Sequence, residues 1–515
     1  MKDQFELHSL PTKTGAVSAV SADQRADNAS VLERQTRTRR LFSFSQLFAF
    51  SLTYMGLWQT ILTNSFYALN NGGPNALFFG FLVVFTGALA QASSIGEMAS
   101  MQPIAGAQYH WTWHLAPPRL KRFTTWIQGW TTWFGYVSLL AGSANFTVNL
   151  LESLISLNHD TYSAGGWHTT LLVIATVVVQ ASLNIYCFRV VPWIEFLGGI
   201  LHFVLFIIFI VVLTVMGPRN SSSFFLSSNV SSGWDNYFIS WNVGMLSSIW
   251  AFTGFDSVIH MSEETRTAKE AVPRAMFWSI LTNGVMGLVM VVIAMVAMGP
   301  VDNVLDAKSA LIGILMSATR SKTMTTVLIG GIFTTSFCST LATIASVSRL
   351  TWAWARDGGL PGYLGYVNSK HRVPVRAVVV TVTIIGLLCL LNLGSSAYIV
   401  FGAIAALSSL ALYLSYAIAI ACMLYSRLTT QVVYGEWRLG RAGVAINLFA
   451  LAYTLWAMVF LPFPTTMPVD AGTMNYCGPV LGFVLVIALI LWFVRGQKQW
   501  TGPNLTIIEF VLRNS

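Results

Sequence analysis

The chain has 515 residues, 55% of them hydrophobic and only 10% charged, with 29 Lys and Arg against 20 Asp and Glu. A soluble domain carries about 25% charged residues, so this composition excludes an ordinary water-soluble enzyme and describes a chain solvated by lipid. Aromatic residues at 13%, including 18 Trp, suit anchoring at two membrane–water interfaces.

Residues 1–41 form the one long polar stretch and end in Arg37-Thr38-Arg39-Arg40. They hold no apolar core of the kind a cleaved signal peptide needs, and read as a disordered tail with a positive anchor. Twelve apolar segments of bilayer length follow, each of the ~20 residues a crossing helix needs. They lie near 44–69, 76–100, 123–150, 168–188, 192–216, 236–261, 275–299, 324–348, 374–394, 398–424, 443–463 and 476–495. Residues 501–515 form a second tail. An even number of spans puts both termini on one side.

The basic residues choose that side. With the N-terminus in the cytoplasm, the internal loops hold Arg119, Lys121, Arg122, Arg189, Arg266, Lys269, Arg274, Arg356, Lys370, Arg372, Arg376, Arg438 and Arg441. The external loops hold only Arg219, Lys308, Arg320 and Lys322, the asymmetry that the positive-inside rule describes. The sequons at Asn220 and Asn229 then fall outside. The reading is a multi-pass protein of the plasma membrane, with the vacuolar membrane as the alternative, and both termini cytoplasmic.

The stretch from Trp250 to Arg274, WAFTGFDSVIHMSEETRTAKEAVPR, begins inside an apolar segment yet carries Gly254, Asp256 and His260. Glycine and acid inside hydrocarbon cost free energy unless they line a cavity or a site. Span one has a matching glycine, Gly56 in SLTYMGLWQ, five spans earlier. An odd number of helices per repeat inverts the second copy. A pair of interrupted helices in corresponding positions is the best sequence pointer to a transporter site. Spans 44–216 and 236–424 are thus read as two repeats, with 443–495 adding two helices.

Five blocks carry a family resemblance: TYMGLWQ at 53–59, NNGGPNALFFGF at 70–81, SIGEMASMQPIAGAQYHWTWHLAPP at 94–118, GFDSVIHMSEETRTAKEAVPRAM at 254–276 and SRLTWAWARDGGLPG at 348–362. Over residues 41–500 the chain resembles the fungal amino acid/choline permeases, which include the GABA permeases, within the amino acid–polyamine–organocation superfamily. The resemblance implies an all-α polytopic membrane protein with twelve transmembrane helices. It also implies a LeuT-type 5+5 inverted repeat with broken helices one and six, and uptake energised by protons.

An unwound helix exposes unpaired N–H and C=O groups that can hold a carboxylate or a cation. The substrate is expected at Thr53, Tyr54, Met55 and Gly56 of span one. In span six it is expected at Trp250, Ala251, Phe252, Thr253 and Gly254, with Trp250 as an aromatic gate. Trp250 and Phe252 suit an ammonium group by cation–π attraction, on the order of 0.5–2 kcal/mol. Tyr54 and Met55 depart from the small residues usual in the superfamily's first span. Asp256 is expected to couple protons, to attract an amine, or to cap a helix. His202, with Glu195 two turns earlier on the same face of span five, suits a proton relay. His260 and Glu263 suit a cytoplasmic gate. Sodium coupling would instead need hydroxyls from Thr334, Thr335, Ser336, Ser339 or Thr340 on span eight. Tyr413 and Tyr416 of span ten are candidates for lining the route.

No P-loop, nucleophile elbow or HExxH is present, so an enzyme is not expected. Neither cofactor nor metal is expected, since the five cysteines are scattered without ligand spacing. The expected partners are a small amine or amino acid, protons and the lipid bilayer, with no nucleic acid. A proton-coupled carrier for an amino acid or GABA-like compound leads. A carrier for choline, a polyamine or another organic cation comes second, and a nutrient receptor without transport third.

Overall fold

The computed structural model describes residues 40–394 and 397–504, so the expected tails before residue 40 and after residue 504 lie outside it. Span one is Phe44–Met55 followed by Leu57–Thr63, and span two is Ser65–Met101 with a non-helical Gly73. Spans three, four and five are Lys121–Asn158, Gly166–Tyr186 and Val191–Met216. Span six is Tyr237–Gly244 and Leu246–Phe252, then a turn and a tight helical stretch, Ser257–Glu264. Spans seven to twelve are Ala268–Ala297, Lys322–Arg356, Val375–Leu388, Ala397–Thr429, Gly443–Phe460 and Cys477–Leu491.

Among the described residues nine helices are long and apolar enough to cross a membrane. The other three expected spans are the two interrupted helices and Lys121–Asn158, whose apolarity is diluted by Ser138, Ser143, Asn145, Thr147 and Asn149. Local signals start several helices. Ser43 and Gln46 form a capping box at the head of span one. Asn236, Ser309 and Ser321 each accept from a backbone N–H three residues on.

Several boundaries differ from their expected places, span two starting at Ser65 instead of 76 and span seven at Ala268 instead of 275, and two helices run on past charged residues that are buried. Span eight continues past 348 to Arg356 because Arg349 and Arg356 are buried in ion pairs instead of facing water. Span three continues past 150 to Asn158, with Glu152 buried and accepting from Thr169 at 2.8 Å. The outermost helices expose apolar side chains, among them Leu197, Ile207, Val211 and Val215 of span five and Phe483, Val486 and Ile490 of span twelve. A polar solvent would make that costly and a lipid one would not.

The chain enters the bundle at what we term the near end, where Phe42 and Thr265 form an isolated bridge. The helix Gln108–Leu115, which follows span two in the chain, also packs there, against spans three and ten. The loops joining spans seven and eight, with helices Val301–Leu305 and Ala310–Thr319, form part of the far end. Asn220, one of the two sequon asparagines, uses its side-chain amide on the carbonyls of Met295 and Gly299, at 2.8 and 3.1 Å.

Candidate substrate site at the two helix breaks

Span one breaks at a single residue. Gly56 has φ +45°, left-handed, and its N–H still reaches the carbonyl of Leu52 while Leu57 starts a new helix. Span six unwinds two residues later than expected: Ala251 and Phe252 are still helical, and the non-helical stretch is Thr253–Asp256. Gly254 has φ +83°, a conformation L-residues rarely adopt, and a Cβ there would meet Leu139 at 2.5 Å. Both glycines are therefore backbone requirements.

A cavity lies between the breaks. Thr53, Tyr54, Met55, Gly56, Trp250, Ala251 and Thr253 all line it, as the sequence pattern anticipates. Phe252 and Gly254 do not. Phe252 turns away and stacks on Phe85 of span two, with ring centres 5.6 Å apart. Gly254 instead donates its N–H to the Tyr416 hydroxyl at 3.2 Å. The wall is completed by residues that only the fold could assemble, chiefly Gln59 and Thr60 of span one, Ser143 and Phe146 of span three, and Thr335, Ser336 and Ser339 of span eight. Of the five hydroxyl residues proposed on span eight, Thr334 and Thr340 stay outside.

The cavity is small. About 30 Å³ is open to the centre of a water-sized sphere, room for about two or three waters. No charged side chain lines it. Two residues of its wall keep a buried polar atom without a partner, the Gln59 carbonyl oxygen and the Trp250 indole N–H. Buried polar groups are nearly always satisfied, so an acceptor and a donor left open on the walls of one cavity are the chemistry a bound polar molecule would complete.

The coupling candidates fall into two places. Asp256 is fully buried but does not reach span one. Its carboxylate accepts from Tyr416 of span ten at 2.5 Å and from Gln108 of the loop helix. Tyr416 thus holds the span-six turn and Tyr413 bonds Tyr453 at 3.0 Å, and neither lines the cavity. His202 is fully buried and its Nδ1 lies 2.9 Å from Gln59 Nε2. Glu195 Oε2 accepts from Thr53 at 2.7 Å.

The near end is closed by charge. Glu263 pairs with Arg356 at 3.1 Å and Glu264 with Arg349 at 2.9 Å. His260 Nδ1 meets the carbonyl of Ala105 at 2.7 Å, and Tyr136 packs edge-on against its ring. Asp357 accepts from Tyr109 at 2.7 Å and lies 2.9 Å from His110 Nε2. Burial alone would raise the Asp357 carboxyl, but His110, Arg356 and Tyr109 outweigh it and hold it below the usual carboxylate range. At the far end the cavity is covered by Trp250, which packs edge-on against Phe401 at 4.9 Å and tilted against Phe146 at 5.6 Å. Beyond these rings a vestibule of about 500 Å³ reaches Tyr67, Glu152 and Lys308.

A sequence model of the amino acid permease family matches residues 42–500. The chain belongs to the amino acid permease family. It is therefore a membrane transporter, set in lipid, for a small amino acid or organic cation. Several relatives align over nearly the whole length. A choline transporter of Saccharomyces cerevisiae is 27% identical over 93% of this chain and 85% of its own. Amino-acid permease 2 of Neurospora crassa is 27% identical over 90% and 86%. An amino-acid permease BAT1 homolog of Oryza sativa is 26% identical over 90% and 92%. Relatives with different named substrates stand at nearly equal distance, so the site must argue the cargo of this permease.

Proposed function

We propose that this permease is a secondary active, proton-coupled carrier for a small zwitterion, an amino acid or a GABA-like compound. It takes that compound up across the plasma membrane with both termini cytoplasmic. The observation that carries this reading is the cavity between the breaks. It offers an open acceptor, Gln59, and an open donor, Trp250, with no side-chain charge. A zwitterion has N–H groups for the first and a carboxylate for the second, and brings no net charge into a site that has none to offset it. The paired interruptions at Gly56 and Gly254 support an inverted repeat with the site at mid-membrane. The near end carries the basic loops, which supports its facing the cytoplasm. Buried titratable groups bonded to span one support protons as the driving ion.

A second reading, a choline-type cation carrier, is favoured by the Trp250, Phe146 and Phe401 rings and by the named activity of the yeast relative. Uptake of labelled alanine, GABA and choline into cells lacking their own permeases, at two external pH values, separates the two. The zwitterion reading expects acid-stimulated uptake of alanine or GABA that a protonophore abolishes and choline does not inhibit. Under the cation reading choline is carried, and unlabelled choline inhibits whatever uptake of alanine or GABA there is.

A further inference from the structure

Span five carries two fully buried titratable side chains, Glu195 and His202, seven residues and two turns apart on one face. Each is bonded to a residue of span one, and those two residues straddle the break. Thr53 stands three residues before Gly56 and donates to Glu195; Gln59 stands three after it and meets His202. Both Thr53 and Gln59 line the cavity. One helix thus grips both sides of the interruption through groups that can change charge.

Each of the two keeps one buried atom without a partner, Glu195 Oε1 and His202 Nε2, and of the two a carboxyl is the group ordinarily charged at neutral pH. Three other buried acids, near the bundle ends, have cations: Glu97 has Arg427, Glu263 has Arg356 and Glu264 has Arg349. Among the described residues Glu195 is in no ion pair, and its Oε1 is buried without a partner. From span one it faces Thr53. From span eight Cys338 approaches it, with both Thr53 and Cys338 packed on Gly198, one turn along. Span seven reaches span one through Asn283, whose amide donates to the Leu52 carbonyl at 3.3 Å, and it brings no ion pair to Glu195. The next cation along span eight, Arg349, is eleven residues or about 16 Å beyond Cys338 and already paired. Asp256 differs, because each of its two oxygens has a donor.

Thr53 makes the charge of Glu195 legible to the cavity. Its hydroxyl has one hydrogen and three acceptors within reach: Ala49 O at 3.0 Å, Phe50 O at 3.1 Å and Glu195 Oε2 at 2.7 Å. When Glu195 is a carboxylate, Thr53 must donate to it. When Glu195 is an acid, the carboxyl O–H donates to Thr53 Oγ1, and the Thr53 hydrogen passes to a helix carbonyl. Gaining or losing one proton therefore reverses the hydrogen bond at a residue on the cavity wall beside the break. A carboxylate without a cation is expensive in this setting, so the proton leaves only once water reaches it.

We propose that Glu195 carries the co-transported proton, and that Thr53 transmits its charge state to the broken segment of span one. The assignment rests on the proton-coupled reading above. In proteoliposomes loaded with a pH-sensitive dye, labelled alanine and GABA are followed both as exchange, without a gradient, and as uptake driven by an imposed pH gradient. For one proton per substrate, each pH unit supports up to about tenfold accumulation. Glu195→Gln is expected to exchange substrate but to accumulate none and to move no protons. Glu195→Gln that accumulates substrate and moves protons like the native chain overturns the assignment and leaves the proton reading standing. A native chain that itself moves no protons removes both. Should Glu195→Gln fail to fold, Glu195→Asp decides: a displaced pH midpoint of driven uptake supports the assignment, and an unmoved midpoint overturns it.

Discussion

The two ends of this permease are closed by different physics. At the near end, acids and bases from spans six and eight and the loop helix are buried against one another: Glu263 with Arg356, Glu264 with Arg349, Asp357 with His110 and Tyr109. At the far end Trp250 meets Phe401 edge-on and both rings lie tilted against Phe146, under an open vestibule. Removing one partner of a buried ion pair costs about 3–5 kcal/mol, whereas an aromatic pair contributes about 0.5–1.5 kcal/mol beyond its area. The comparison teaches that the far end is the cheaper one to open. Opening the near end needs several charges to change partners together, which suits a step that waits for substrate and proton.

The strongest way to break this contrast is at the near end. Glu263→Gln leaves Arg356 buried without its carboxylate, and is expected to cost about 3–5 kcal/mol. Thermal unfolding of the purified protein should show it, with Glu263→Gln/Arg356→Gln recovering part of the loss. A single variant as stable as the native chain would mean that charge does not close this end.

The two glycines separate strain from space. Gly56→Ala has room, with its nearest neighbours at 3.6 Å, so it meets mainly the left-handed backbone cost of about 1–2 kcal/mol. Gly254→Ala adds a collision with Leu139 and should lose about 1–3 kcal/mol more. Uptake and unfolding temperature should fall in the order native, Gly56→Ala, Gly254→Ala; the reverse order would place the tighter break in span one.

At the far end, Phe401→Ala removes ring contacts with Trp250 and Phe146 worth about 1 kcal/mol. A cysteine at Ser143, on the cavity wall, should then react with a membrane-impermeant thiol reagent from the far side about fivefold faster. No change in rate would mean that the rings are not the lid.

The smallest effect concerns pH at the near end. Asp357 titrates below its unfolded value of about 3.9. Its contribution is therefore complete above that value and is lost only as pH falls through the lower folded one. The difference in unfolding temperature between the native chain and Asp357→Asn should stay constant from pH 7 to 5 and shrink only below about pH 4.

Sequence alone determined the class, the family resemblance and the two break glycines, because hydrophobic length, basic-residue asymmetry and glycine within an apolar run are local signals. It anticipated Thr53, Tyr54, Met55, Gly56, Trp250, Ala251 and Thr253 on the cavity wall, since these cluster at the breaks. It misplaced Phe252, because one helical step of 100° decides whether a ring meets the cavity or Phe85. It ended span eight at the first arginine, because a cation looks like a membrane boundary until its acid, 85 residues away in sequence, is seen. Only the tertiary structure brought Gln59, Ser143, Phe146 and Ser339 to one wall and gave Tyr416 to Asp256. It alone set Glu195 against Thr53 across 142 residues. Contacts between distant helices depend on packing angles and rotamers that no single stretch of chain encodes.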